Sequence, residues 1–313
     1  MKHYVTVNDI DSAKEWIDLA RELKQDPFKF KELGERKTLG LLFFNNSLRT
    51  RLSTQKAALH LGMHCMIMNF SSEGWALEFE DGTIMDKGKA EHIREAAQVV
   101  SQYCDVLGVR AFASLGSKEN DEAEIVLNGF KKHATIPILN MESATGHPLQ
   151  ALADLITIRE NSTKKNPKVV LSWAPHPKAL PHAVANSFVE IMQQNSAIDF
   201  SITHPEGYEL NPLITKDVPL YYDQDEALRD ADFVYVKNWS SYNSYGKVLS
   251  TDANWMITEK KLGHAKFMHC LPVRRNVVVE DAVLDSSRSL VMEQANNRTY
   301  AAQVALLKIL KGL

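Results

Sequence analysis

Short apolar runs alternate with stretches of helical periodicity along the whole chain. TLGLLFF (38–44), HCMIMNF (64–70), DVLGVRAF (105–112) and IPILNM (136–141) are largely apolar, and each predicts a buried strand. Between them, RTRLSTQKAALHLG and KAEHIREAAQVVSQY repeat their apolar residues at helical spacing. HPLQALADLITIREN (147–161) predicts another helix, and after it the alternation restarts. KVVLSWA (168–174), AIDFSITH (197–204), DFVYVKNW (232–239) and KFMHCL (266–271) predict a second set of strands. The chain closes on an amphipathic helix, RTYAAQVALLKILKGL. This order predicts an α/β protein with parallel sheets covered by helices. The restart predicts two such domains of similar size, with the helix from His147 crossing between them. Segment 71–92 is the longest connection without a clear pattern, and it carries Trp75 and several acidic residues.

In open parallel sheets, ligands sit beyond the carboxyl ends of the strands. Residues able to bind anions fall at those places here. After the first strand comes NNSLRTRLS (45–53), where Ser47, Arg49, Thr50 and Arg51 mark a strand turning into a helix. Free backbone N–H groups, hydroxyls and guanidiniums there would cradle a phosphate without the glycines of a P-loop. The alternative is a serine cap followed by solvated arginines. Arg110 ends another strand, as an anion ligand or one half of a surface ion pair. In ESATGHPLQALADL, His147 precedes Pro148, and Gln150 follows one turn into the helix. A histidine at a helix start is disfavoured as a cation. His176, in WAPHP, is a second strand-end histidine.

Composition narrows the classes. The chain has 313 residues, 44% hydrophobic and 24% charged, with a formal charge of -3. That balance argues against non-specific nucleic-acid binding. No apolar run approaches membrane-spanning length, and the acidic, amphipathic N-terminus resembles neither a secretory nor a transit signal, so a cytoplasmic home is expected. Cys65, Cys104 and Cys270 are widely spaced, which predicts neither disulfides nor a metal site. Cys65 and Cys104 read as buried apolar residues. Cys270 follows His269 directly, and neighbours on a strand face opposite sides, so His269 is a poor base for a nucleophilic Cys270.

SLRTR, HPLQALADL and HCLP, in this order and at these distances, resemble the aspartate/ornithine carbamoyltransferase family across essentially the whole chain. The resemblance implies the transcarbamylase fold, two doubly wound domains with the active site in the cleft between them. Residues 1–146 plus 292–313 would bind carbamoyl phosphate, and residues 147–291 the amino acid. It also implies a homotrimer with shared active sites, small-molecule substrates and no cofactor. Ser47, Leu48, Arg49 and Thr50 would hold the phosphate. Arg110, His147 and Gln150 would hold the carbamoyl group, with Arg298, Cys270 and Leu271 lining the site and Trp75 arriving from a neighbouring subunit. Arg110, His147, Thr50 and Cys270 are the expected catalytic set.

The amine is a separate question. Ornithine enzymes resemble A-D-V-V-Y-T-D-V-W, whose second aspartate grips the α-ammonium; here the text is ADFVYVKNW, with Lys237 at that place. A cation facing an ammonium would cost binding severely. An acylated α-nitrogen has no charge, and Lys237 could then meet the α-carboxylate. GWALE, MESATGHPLQ, WAPHP, VKNW and HCLPVRRN are similar to the N-acetylornithine and N-succinylornithine branch. That likeness assigns Glu142, His176, Lys237, Leu271 and Arg274 to the acylated amino acid. Acetyl enzymes tend to carry a glutamate matching Ala90 and a lysine matching Val278, and succinyl enzymes a proline at the first place and no such lysine, so Ala90 is neither family's residue. It leaves room and adds no negative charge, and with Arg274 and Arg275 as candidate cations for a second carboxylate this favours succinyl.

Overall fold

Four parallel strands, Thr38–Phe43 (β1), His64–Asn69 (β2), Val106–Arg110 (β3) and Ile138–Glu142 (β4), form one sheet in the order β2-β1-β3-β4. The structure is a computed structural model describing residues 1–313. This sheet anchors a unit made of Met1–Ser114, Glu119–Leu149 and Arg298–Leu313. Ala13–Gln25 (α1), Leu48–His60 (α2), Ile93–Tyr103 (α3) and Ile125–His133 (α4) are its main helices. Ile93, Ala96 and Ala97 of α3 and Leu127 and Phe130 of α4 pack with Leu42, Leu107, Val109 and Ile138 of the sheet. Close approach is built in at Gly40, where a β-carbon would lie 2.7 Å from the Cys104 sulfur. The register of β3 against β4 slips after Val109, so that Arg110 faces Glu142.

The second unit, Leu115–Lys118 with Gln150–Asn297, holds a five-stranded parallel sheet. Lys168–Trp173 (β5), Asp199–Thr203 (β6), Leu220–Tyr221 (β7), Phe233–Lys237 (β8) and Lys266–Met268 (β9) run in the order β9-β8-β5-β6-β7. Val170, Val234, Val236, Phe267 and Val279 lie in its core. Buried Trp173 and Trp239 donate to the carbonyls of Trp239 and Tyr208, so each large ring is buried without an unmet N–H. The chain passes between the units in the first turn of Pro148–Asn161 (α5) and within Val291–Leu310, and Ala183–Gln193 lies in the second unit. No helix is long and apolar enough to cross a membrane.

Several expectations change. Strand β2 is an edge strand, and its outer face is open, with Met66 54% and Met68 40% exposed. Cys65 on it is half-buried, whereas Cys104 is buried. Strand β9 stops at Met268, so His269 and Cys270 lie past its end and alternation does not govern them. The last helix begins at Val291, seven residues before the predicted start, which puts Arg298 mid-helix. Within 71–92, Leu77–Glu78 pairs in parallel with Glu91–His92. Leu220–Tyr221, a two-residue strand, was too short to announce itself by pattern.

Candidate active site

In the first unit, the carboxyl ends of β1, β3 and β4 and the middle of the last helix bring five side chains together. Ser47 caps α2 by accepting from the Thr50 N–H at 3.2 Å, which leaves the Thr50 hydroxyl facing two guanidiniums. Arg110 reaches that hydroxyl at 3.3 Å and Arg298 at 2.6 Å. Arg110 also pairs with Glu142, and Arg298 donates to His147 Nε2 at 3.3 Å. Glu142 and His147 stand 3.7 Å apart. Thr50, Arg110, His147 and Arg298 are all buried.

The sign of this cluster follows from His147. Burial pushes its pKa well below the ordinary value, and Arg298 and Arg110 push it further. The imidazole is therefore neutral near pH 7, and with Nε2 accepting from Arg298 its proton sits on Nδ1. Two guanidiniums against one carboxylate leave a net positive, desolvated site beside the N-terminus of α2. Such a site attracts an anion and presents donors where negative charge develops on a carbonyl oxygen. Arg51, also in SLRTR, instead bonds Asn69 at 3.2 Å and lies over Phe43. Leu48 points outward, 69% exposed, so only its backbone can serve an anion.

Glu142 is held unusually. Its φ is 145°, a region side-chain-bearing residues rarely occupy. Asn140 takes its N–H, and the following loop is gripped by Glu124, which accepts from Ser143 Oγ at 2.7 Å and from the N–H groups of Ala144 and Thr145. Asn140 and Glu124 thus carry Glu142 and His147 at the two ends of one short loop. Sequence reasoning missed both. Asn140 sits within an apolar strand run, and Glu124 lies in a stretch with no motif.

The second unit gathers another set. Arg274 Nε donates to His176 Nε2 at 3.0 Å, and His176 Nδ1 bonds the Lys178 carbonyl at 2.8 Å. Burial, Arg274 and Lys237 keep the His176 pKa below its ordinary value, so Lys237 acts on the same ring. Lys237 ends β8 and Trp173, its register partner, ends β5. Arg274, Lys237 and Lys178 are therefore the cations acting on this histidine, and only Arg274 bonds its ring. Arg275 is already committed: Asp285 and Asp281 bind it at 2.6–2.8 Å and raise its pKa. Of the two arginines in HCLPVRRN, Arg274 alone joins His176.

Gln150, Cys270 and Leu271 also belong to the second unit. Leu271 has φ 55° and donates to His269 Nδ1 at 2.9 Å, which occupies that histidine structurally. Glu142 lies with Arg110 and His147 in the first unit, whereas His176, Lys237, Leu271 and Arg274 lie in the second. Trp75, 57% exposed, is outside both clusters and donates to Glu91 at 2.9 Å. That bond also fixes the direction of the Glu91 carboxylate. Ala90 is exposed, and its N–H bonds the Ala76 carbonyl.

Comparison with known proteins decides the family. The aspartate/ornithine carbamoyltransferase carbamoyl-P binding domain matches residues 2–160, and the Asp/Orn binding domain of the same family matches residues 181–310. The chain belongs to the aspartate/ornithine carbamoyltransferase family. Within this family it is 48% identical to an N-succinylornithine carbamoyltransferase of Bacteroides fragilis, with 100% of both chains covered. An N-acetylornithine carbamoyltransferase of Xylella fastidiosa is 33% identical, with 98% of each covered. An ornithine carbamoyltransferase of Bacillus cereus is 29% identical over 99% of this chain and 93% of its own. Among solved structures, a glutamate-to-alanine variant of N-acetyl-L-ornithine transcarbamylase, complexed with carbamyl phosphate and N-succinyl-L-norvaline, superposes with a TM-score of 0.92 at 30% identity. It covers 99% of this chain and all of its own.

Proposed function

We propose that this carbamoyltransferase moves the carbamoyl group of carbamoyl phosphate to the δ-amine of N2-succinyl-L-ornithine, giving N2-succinyl-L-citrulline and phosphate. The observation that carries the reading is that Arg274 bonds His176 while Lys237, at the end of β8, acts on the same ring as a second cation. A site of that sign repels the α-ammonium of ornithine and suits two carboxylates, one on the α-carbon and one on the acyl group. Ala90, where acetyl enzymes carry a glutamate, adds no negative charge. The 48% identity to the succinyl enzyme, against 33% to the acetyl one, agrees.

The first unit is then the carbamoyl phosphate half. The N-terminus of α2 with Ser47, Leu48, Arg49 and Thr50 receives the phosphate, and Arg298 and Arg110 neutralise it. Arg110, Thr50 and His147 face the carbamoyl oxygen. The unprotonated amine attacks the carbamoyl carbon, and the bond from that carbon to the bridging phosphate oxygen breaks. The amine proton leaves to the departing phosphate, so no covalent enzyme intermediate forms. Rate enhancement comes from positioning and oxyanion stabilisation. Glu142 tethers Arg110 and is available to the amine or the amide N–H.

The protein is read as a cytoplasmic enzyme of arginine biosynthesis working as a homotrimer. Exposed Leu48, Leu52 and Leu59 fall on one stripe of α2, and Met66 and Met68 share one face of β2, which supports apolar contact with another copy. Trp75 would then serve a neighbour's site.

A colorimetric assay for the citrulline product, run with ornithine, N-acetylornithine and N-succinylornithine, tests the reading. The succinyl substrate should turn over fastest. Preference for the acetyl substrate would replace the acyl assignment, and equal or better turnover of free ornithine would overturn the role of Lys237.

A further inference from the structure

The acidic residue of the HPLQALADL segment, Asp154, has no part in the transfer chemistry described above. Asp154 is fully buried, one turn beyond Gln150 on α5. A buried carboxylate needs donors, and two side-chain amides converge on its Oδ1, Gln150 Nε2 at 2.7 Å and Gln294 Nε2 at 2.6 Å. The orientation of the whole chain of bonds follows from one backbone group. The His269 N–H can only donate, and it donates to Gln294 Oε1 at 3.0 Å. Gln294 must then turn its NH2 to Asp154, and Asp154 Oδ1 must accept. Gln150 must likewise turn its NH2 to Asp154, so Gln150 Oε1 faces the other way. That oxygen is buried and has no hydrogen-bond partner. A buried carbonyl left bare is costly, and its complement is an N–H donor.

The other arm ends at the strand-end loop. His269 Nδ1 accepts from the Leu271 N–H, which fixes the plane of the Cys270–Leu271 peptide and points the Cys270 carbonyl the opposite way. Tyr235 is fully buried as well, and burial, Asp154 and Cys270 together push the pKa of its hydroxyl well up. The donors recorded at Asp154 Oδ1 are the amides of Gln150 and Gln294.

We infer that Asp154 is a positioning residue for carbamoyl transfer. It holds the Gln150 amide so that Oε1 receives the carbamoyl NH2, and through Gln294 and His269 it holds the Cys270–Leu271 peptide where the amine arrives. The inference rests on the carbamoyl-transfer reading of this site. Carbamoyl phosphate has one N–H donor group, its amide, so the bare acceptor matches the end of the substrate that phosphate lacks.

Two probes separate the roles without using the amine substrate. Phosphonoacetamide keeps the carboxamide, whereas inorganic phosphate does not. Calorimetric titration of the full-length protein with each, for wild type and Asp154→Leu, reads the amide end alone. Leucine keeps the volume and removes the one oxygen that both amides share. The expected result is phosphonoacetamide affinity lowered about tenfold, the scale of one buried hydrogen bond, with phosphate affinity unchanged. Unchanged phosphonoacetamide affinity, or equal loss of both ligands, overturns the inference. In a Gln150→Ala background, Asp154→Leu should add no further loss; a second tenfold drop would show independent action. Gln294→Met keeps the Asp154–Gln150 bond and covers the case in which Asp154→Leu does not fold. It should lower kcat about tenfold at unchanged phosphonoacetamide affinity, and an unchanged kcat overturns the second arm. Absence of carbamoyl transfer by the wild type to any amine would instead remove the functional reading, leaving the probe titrations intact.

Discussion

Arg298 donates to the Thr50 hydroxyl at 2.6 Å although 248 residues separate them in sequence. The same NH2 group reaches His147, so one guanidinium edge serves both the helix start and the histidine.

That double contact predicts that Arg298→Lys is not conservative. A lysine brings the charge, but its nitrogen stops one bond short of the guanidinium NH2 that makes both contacts. Loss of one charge-assisted bond costs about 1.5–3 kcal/mol, so kcat/KM for carbamoyl phosphate should fall about 10- to 150-fold. Steady-state kinetics at saturating amine would measure this. A change of less than threefold would show that Arg298 only braces the fold.

Sequence reasoning reached this site unevenly, for physical reasons. Arg110 and His147 were legible because strand ends and helix starts are local patterns, and the sheet places such ends together. Glu142 was legible only through family likeness, because its grip on Arg110 depends on a register slip that no periodicity encodes. Asn140 and Glu124 act through a loop they do not flank in any recognisable motif. The two arginines of HCLPVRRN looked equivalent until Asp281 and Asp285, further along the chain, were found to occupy Arg275. The exposure of β2 was hidden as well, since an apolar run reads the same at a sheet's edge as at its centre.

Lys237→Met tests the charge logic of the second unit. Removing this cation should lower kcat/KM for N-succinylornithine about 10- to 100-fold, as expected for one charge-assisted contact, and leave KM for carbamoyl phosphate within about twofold. Arg275→Met, which removes a residue already paired to two aspartates, should leave the acylornithine KM within about twofold; a large rise would return Arg275 to the substrate site.

Ala90→Glu should lower activity on the succinyl substrate relative to the acetyl one by about tenfold, because a carboxylate would face the succinyl carboxylate. Competition between the two substrates in one tube gives the ratio directly. An unchanged ratio would show that position 90 does not face the acyl group. The neighbouring Glu91 is turned toward Trp75, so Glu91→Gln is expected to leave this ratio alone.

His147 ties stability to pH with a definite sign. Its folded pKa is lowered, chiefly by burial and then by Arg298 and Arg110, while the unfolded chain keeps the ordinary value of 6.5. The unfolded state therefore binds the extra proton between the two pKa values. The contribution is complete above pH 6.5 and is lost as pH falls from there toward the folded pKa. His176 and His204 are shifted the same way, so the wild-type slope holds several groups, and the informative quantity is a difference. Denaturant unfolding of wild type and His147→Gln at pH 7.5 and pH 5.5 isolates it. The variant should lose less stability on acidification, by up to about 1.4 kcal/mol per pH unit, the weight of one proton. Equal losses in both proteins would mean that His147 is hydrated and titrates near its ordinary value, and a neutral imidazole could then no longer be assigned to the carbamoyl group near pH 7.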